Sequence, residues 1–364
     1  MFPALDTPCL LIDEPTVTRN LKTMQDRAST LGKALRPHSK THKMPVLARR
    51  QISLGASGIM VAKLDEAAVM LAGGIAQQSV GYPLIGPIKA IRLAKLLVEG
   101  LRPRVSVDSR PALDLLERAA AEAGCKIEAV IEVNTGLNRA GLRNPDEIAE
   151  LAQRIRGSER VRYRGLTCFG GHIGYQPTED EALTLIRDEN ALLDRIAAHL
   201  TRNGLAPEII SEGGTIPAHY AEYLRVATEL RPGTYIFNDV VTVASRAAEW
   251  KDCAATIVTT VVGQPDPAWA VIDAGSKTLA LDPAPSGGFG YIEGRPDLLI
   301  RRLTEEHGVL VDHQGRPVRL QIGERLRIVP NHVCATVNLH DRAVFVDGEE
   351  ILYSSPIEGR GGIR

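Results

Sequence analysis

Aromatic residues are scarce, at 4% of the chain, and no aromatic box for a ligand can be picked out. A charge of one sign is missing too. Lysine plus arginine number 43 and aspartate plus glutamate 44, a formal net charge of −1, so nothing in the balance attracts nucleic acid or an anionic membrane surface. No run of about 18 apolar residues occurs, which excludes an ordinary transmembrane helix. The opening MFPALDTPCLLIDEPT lacks a basic segment followed by a long apolar one, so no secretory leader is expected. The chain reads as a soluble cytoplasmic protein with a small-molecule partner. The cysteines, Cys9, Cys125, Cys168, Cys253 and Cys334, are odd in number and show no framework spacing, which argues against disulfides. Any special cysteine is then a ligand or a nucleophile.

At 364 residues the chain suits one large α/β barrel with an addition, or two domains. From residue 34 to residue 240 short β-rich runs alternate with amphipathic segments, the pattern of a parallel sheet covered by helices. Strands are expected over Ala34–Lys40, Ile59–Lys63, Ser79–Pro83, Val105–Asp108, Ile127–Asn134, Arg164–Phe169, Ile209–Glu212 and Gly233–Phe237, and helices over Pro111–Ala123, Asn144–Arg156 and Glu179–Arg202. An open doubly wound sheet shows the same alternation, but it carries a phosphate loop of glycines after its first strand, and Ala34–Lys43 contains none. A closed (β/α)8 barrel of the TIM type over residues 12–245 is therefore expected. After it come ATIVTTVVG, AWAVIDAG, PVRLQIG, RLRIVP, ATVNLHD and RAVFVDG, short β-type runs separated by glycine, proline or aspartate turns. They predict an all-β domain over residues 246–364, joined by the strand-like N-terminal segment 1–11.

Function in such a barrel sits at the C-terminal ends of the strands, where the loops vary freely. RPHSKTHK ends the first strand and concentrates five basic or imidazole groups around Lys40, and cationic neighbours lower a lysine pKa as a Schiff-base amine requires. The bland alternative is a solvated basic loop. SEGGT follows the seventh strand: Gly213 and Gly214 let backbone amides approach an anion, and Thr215 adds a hydroxyl at a helix start. Paired glycines are also common in plain turns. In EVNTGLNRAG, Arg139 has the fork to grip a carboxylate or a phenolate oxygen, although a lone arginine is usually a surface residue. His172, between glycines beyond the sixth strand, is a candidate general base, or else a loop histidine capping a carbonyl. His332 and Cys334 fall in a run read as a strand, where residues two apart share a face, so they can act as paired zinc ligands. A short His-x-Cys also arises by chance, and buried cysteine is often a small hydrophobe.

Taken together, RPHSKTHK, EVNTGLNRAG, SEGGT, ELRPGTYIFND and PNHVCATVNLHD resemble the motifs of the D-threonine aldolase and D-serine dehydratase family, metal-dependent pyridoxal 5′-phosphate enzymes of the alanine racemase-like fold (fold type III). The likeness spans nearly the whole chain. It implies a Schiff base on Lys40 rather than Lys43, cofactor contacts from Arg139, Gly213, Gly214, Thr215 and Tyr235, and a divalent metal on His332 and Cys334. It also implies a homodimer acting on D-configured β-hydroxy amino acids. Aldolases of the family tend to carry His-x-Asp at the metal and dehydratases His-x-Cys, so Cys334 points to dehydration, whereas the following Thr336–Leu339 and the general look of the chain point to aldol cleavage. A thiolate favours zinc, where a carboxylate would suit manganese or magnesium. The expected reaction is retro-aldol cleavage to glycine and an aldehyde. The alternative is β-elimination from D-serine or D-3-hydroxyaspartate to a 2-oxo acid and ammonia. A non-catalytic pyridoxal phosphate carrier, or a racemase, would need no metal pair.

Overall fold

The computed structural model of the protein describes residues 2–176, 178–285 and 287–364; Met1, Pro177 and Ser286 lie outside the described residues. Two compact units emerge. One gathers Met24–Lys40, Met44–Gly233 and Gly362–Arg364, and the other gathers the residues up to Thr23, Thr41–Lys43 and Thr234–Gly361. The units thus divide at Gly233/Thr234, ahead of the boundary expected at residue 245.

The first unit is an eight-stranded parallel sheet whose strands neighbour one another in chain order: Ala34–Leu35, Ile59–Val61, Gln77–Val80, Arg102–Val107, Ile127–Val133, Val161–Phe169, Ile209–Gly213 and Glu229–Arg231. The eighth strand pairs with the first, Leu35 opposite Leu230, and a bridge between His38 and Met60 joins the first to the second. The sheet closes into a barrel. The first strand is shorter than expected because Pro37 has no N–H for the ladder, although Arg36 and His38 on either side still donate to the Leu230 and Pro232 carbonyls, each at 2.9 Å. The eighth strand lies upstream of the expected Gly233–Phe237: Pro232 ends the ladder, and Thr234–Ile236 is a 3-10 turn.

Helices Pro45–Ser53, Leu64–Ala72, Pro87–Val98, Arg110–Ala123, Pro145–Arg156 and Glu179–Arg202 follow the strands. Their starts are written locally. The Asn144 side chain accepts from the Asp146 N–H at 2.9 Å, and Thr178 with Glu181 forms a capping box. Val105, Val107 and Ile131 of the strands pack with Leu116, Ile148 and Leu193 of the helices in one buried layer, where each side chain contributes about 1.5–3 kcal/mol. Among the described residues, no helix is long and apolar enough to cross a membrane.

Inside the barrel the contacts are ionic. Glu229, 3% exposed, accepts from Arg36 Nε at 2.9 Å and Ser211 Oγ at 2.5 Å and pairs with Arg104, so one carboxylate joins the first, fourth, seventh and eighth strands. Two residues on, and hence on the same face, Arg231 donates to the Ser211 carbonyl at 3.2 Å and to that of Cys168, and reaches Met60 Sδ at 2.8 Å.

The second unit is a nine-stranded sheet. The N-terminal strand Cys9–Asp13 lies in its middle, antiparallel to Ala255–Asp266 and parallel to Arg342–Asp347. Trp269–Ile272, Gly308–Asp312 and Leu298–Leu303 extend one side, and Arg325–Val329 also pairs with Ala255–Asp266. Two expected β runs are not strands. PVRLQIG is irregular, and ATVNLHD belongs to the short helix Val333–Val337, because Pro330 cannot extend the preceding ladder.

Burial alone would raise the Glu229 pKa, but Arg104 and then Arg36 outweigh it and hold the carboxyl below its ordinary value. A depressed folded pKa gives stability that is present above the unfolded value of about 4.3 and lost as the pH falls through the folded value. Substituting Glu229→Gln leaves the buried Arg104 and the partly buried Arg36 without their acid, so urea unfolding at pH 7 is expected to show a loss of about 3–5 kcal/mol and a flatter acid limb. A loss below about 1 kcal/mol, the range of an exposed pair, would contradict the ionic tie.

Candidate active site

Lys40 lies half-buried in the 3-10 turn Ser39–Thr41 and borders a cavity of about 260 Å³. His38, Met60, Tyr82, Glu132 and Arg139 help line it. Phe169, last in the sixth strand, lines it too: its ring centroid lies 5.6 Å from Lys40 Nζ and 4.9 Å from Arg139 Cζ, so one aromatic ring carries both cations. Arg139 is exposed on its turn and lies 4.0 Å from Glu132, which is buried at the end of the fifth strand. Burial raises the Glu132 pKa, against the pull of Arg231 and Arg139.

The cluster of cations expected around Lys40 is dispersed. Arg36 is taken up by Glu229, and Lys43 is buried in the other unit with its Nζ 2.8 Å from Asn338 Oδ1. The His38 Nδ1 accepts the Lys40 backbone N–H at 3.3 Å. Lys40 therefore borders the cavity with its amine, while Lys43 is committed elsewhere.

Gly213 closes the seventh strand, and Gly214 follows with φ at 117°, a conformation that side chains avoid. A Cβ at Gly213 would meet Arg231 and Phe169 at 3.1 Å, and one at Gly214 would meet Pro217 at 2.9 Å. Bare backbone followed by the buried Thr215 matches what a phosphate requires. His172 lies in the 3-10 turn Gly171–Tyr175 and does not line the Lys40 cavity. Its Nε2 would be 2.8 Å from a Cβ at Gly136, and its buried Nδ1 has no hydrogen-bond partner among the described residues.

Cys168, Glu189 and Glu212 form a buried group with donor atoms within 4.8 Å of one another. Cys168 and Glu212 are register partners on the sixth and seventh strands, and Glu189 comes from the long helix, where it accepts from the Thr135 hydroxyl. Burial and then Glu189 push the Glu212 carboxyl well above its usual range, and burial does the same to the Cys168 thiol. Burial therefore favours the neutral forms of Glu212 and Cys168, and metal ligation would require both to be deprotonated.

In the second unit His332 and Cys334 come together, but at the start of the helix Val333–Val337 and not on a strand. His332 caps the helix, and its Nδ1 lies 3.0 Å from Asp239 Oδ2. The Cys334 thiolate first, and then the Asp239 contact, pull the imidazole up to about 11 in the ion-free pair. Thr41, next in the chain after Lys40, has its hydroxyl 3.1 Å from Cys334 Sγ. One imidazole and one thiolate, each backed by a polar partner, fit an open divalent site with the remaining positions left for water or substrate. Tyr235 is buried in the Thr234–Ile236 turn of this unit.

Sequence reasoning passed over Phe169, Glu132 and Asp239. The first two carry no local signal. Asp239 does, since Asp-x-x-Thr before a helix is a capping box, and Asp239 and Thr242 form one.

The alanine racemase N-terminal domain matches residues 12–240, and a putative serine dehydratase domain matches residues 254–346. D-threonine aldolase of Arthrobacter sp is 33% identical over 94% of this chain and 89% of that protein. D-threo-3-hydroxyaspartate dehydratase of Delftia sp. is also 33% identical, over 91% and 92%. The crystal structure of D-threonine aldolase from Filomicrobium marinum superimposes with a TM-score of 0.91 at 31% identity, covering 99% of this chain and 97% of that one. With the cavity at Lys40 and the His332–Cys334 pair, these likenesses show that the chain belongs to the D-threonine aldolase and D-serine dehydratase family, pyridoxal phosphate-dependent lyases of the alanine racemase fold.

Proposed function

We propose that the protein cleaves D-β-hydroxy amino acids between Cα and Cβ, as a D-threonine aldolase does, using pyridoxal phosphate on Lys40 and a divalent ion on His332 and Cys334. The observation that carries the reading is the pair of preparations on one chain: a cavity bordered by the Lys40 amine, and an imidazole–thiolate pair with its own hydrogen-bond partners. Zinc suits the thiolate best. Bound pyridoxal phosphate supplies an electron sink for the α-carbon, and a bound divalent ion supplies Lewis acidity at the β-oxygen.

The chain's own groups do the rest. Gly213, Gly214 and Thr215 hold phosphate with backbone N–H groups and a hydroxyl. Arg139, steadied by Glu132 and Phe169, presents its fork to a carboxylate or phenolate oxygen. His172, in the turn beyond the sixth strand, takes the β-hydroxyl proton. A second reading, β-elimination, is supported by Cys334 and by the equally similar dehydratase. There Lys40 removes the proton from Cα.

Purified protein loaded with pyridoxal phosphate is expected to convert D-threonine to glycine and acetaldehyde, and to lose that activity on chelation and regain it with zinc. A 2-oxo acid and ammonia from D-serine or D-3-hydroxyaspartate would establish elimination instead, and turnover untouched by chelation would remove the metal from the reaction. His172→Gln is expected to lower kcat by about 10²–10⁴-fold with cofactor absorbance and zinc content unchanged. Wild-type turnover in that variant would assign the proton to another group.

A further inference from the structure

We infer that Asp239 is the positioning residue that selects which nitrogen of His332 binds metal. The inference rests on the metal reading above. Asp239 is fully buried, with 0% exposure, yet it lies just ahead of a five-residue helix, Val240–Ala244, where a cap would ordinarily face water. Its two oxygens have separate partners. Oδ1 accepts the Thr242 N–H at 2.9 Å and so caps the helix. Oδ2 serves the ligand pair instead, accepting the Val333 N–H at 3.1 Å and lying 3.0 Å from His332 Nδ1.

A carboxylate only accepts, so the ring proton must sit on Nδ1, and the lone pair is left on Nε2. The same oxygen fixes the backbone between the two ligands, because Val333 separates His332 from Cys334. One atom therefore sets the tautomer, the ring orientation and the path of the chain through the ligand pair. The Thr242 hydroxyl in turn accepts the Asp239 N–H at 2.7 Å, while the bond that the Asp239 carboxylate accepts from the Thr242 backbone N–H would survive loss of that hydroxyl. Partners of this kind orient ligating histidines, and their removal weakens metal binding by about 10–100-fold.

The competing account makes Asp239 a helix cap and nothing more. Asp239→Ala and Thr242→Ala separate the two, since both damage the capping box and only the first touches His332. In the holoenzyme, zinc affinity is read by competition with a chromophoric chelator, and ligand geometry from the visible spectrum of the cobalt-substituted protein. Asp239→Ala is expected to bind zinc about 10–100-fold more weakly, with an altered cobalt spectrum and unchanged pyridoxal phosphate absorbance, whereas Thr242→Ala melts lower but binds zinc as the parent does. Equal zinc affinity in Asp239→Ala and the parent would overturn the assignment while leaving the metal site intact, and so would an equal loss in both variants. A parent protein that takes up no zinc or cobalt would overturn the metal reading, and this inference with it.

Discussion

One buried carboxylate ties the barrel together. Glu229 draws Arg36, Arg104 and Ser211 to a single point inside the sheet, and those residues belong to strands that are not all neighbours. A cation pair buried without its acid would cost several kcal/mol, so the strands hold the register that keeps the three partners together. Register is the functional quantity here. Side chains alternate faces along a strand, and a slip of one residue would turn Arg36 out of the barrel and move Lys40 off the cavity rim four residues later. The ionic centre thus helps fix where the Lys40 amine stands on the cavity rim.

The same device recurs at smaller scale. Glu132 is buried beside the exposed Arg139, so the flexible cation is anchored by a rigid acid at a strand end. Asp239 plays that part for His332 in the second unit. For Arg139 and His332 alike, the acid sits on or beside a regular element and the group it orients lies in a loop or at a helix start. Long functional side chains lose less entropy on binding when their direction is already set, which is the reason to bury the acid rather than the cation.

The barrel was legible because each of its elements agrees with its own local signal. Glu179–Arg202 begins at a capping box and carries a helical apolar stripe along its length, and it runs over the residues expected. Prolines caused most of the differences. Pro37 and Pro232 shorten the first and last strands, and Pro330 ends a strand two residues before His332, so the ligand pair sits on a helical turn. Lys40, Arg139, Gly213, Gly214, Thr215 and the His332–Cys334 pair stood out as residue types in unusual company. Phe169 and Glu132 did not, because a single phenylalanine or glutamate in a strand becomes a site residue only through its neighbours in space. The dispersal of Arg36 and Lys43 away from Lys40 was hidden for the same reason: five basic groups in eight residues look clustered until Glu229 takes up Arg36 and Asn338 takes up Lys43.

Aldol cleavage and β-elimination differ in which proton leaves first. Elimination starts at Cα, within reach of the amine that carries the cofactor, and needs no second acceptor on the chain. Cleavage starts at the β-hydroxyl and needs a base of its own. A buried imidazole nitrogen without a partner costs about 1–3 kcal/mol, and folded chains seldom keep one that serves no purpose. The His172 Nδ1 has no partner among the described residues, and a Cβ at Gly136 would come within 2.8 Å of the Nε2 of the same ring. On the proposed reading Cys334 would favour zinc, and His172 would be the group that cleavage requires and elimination does not.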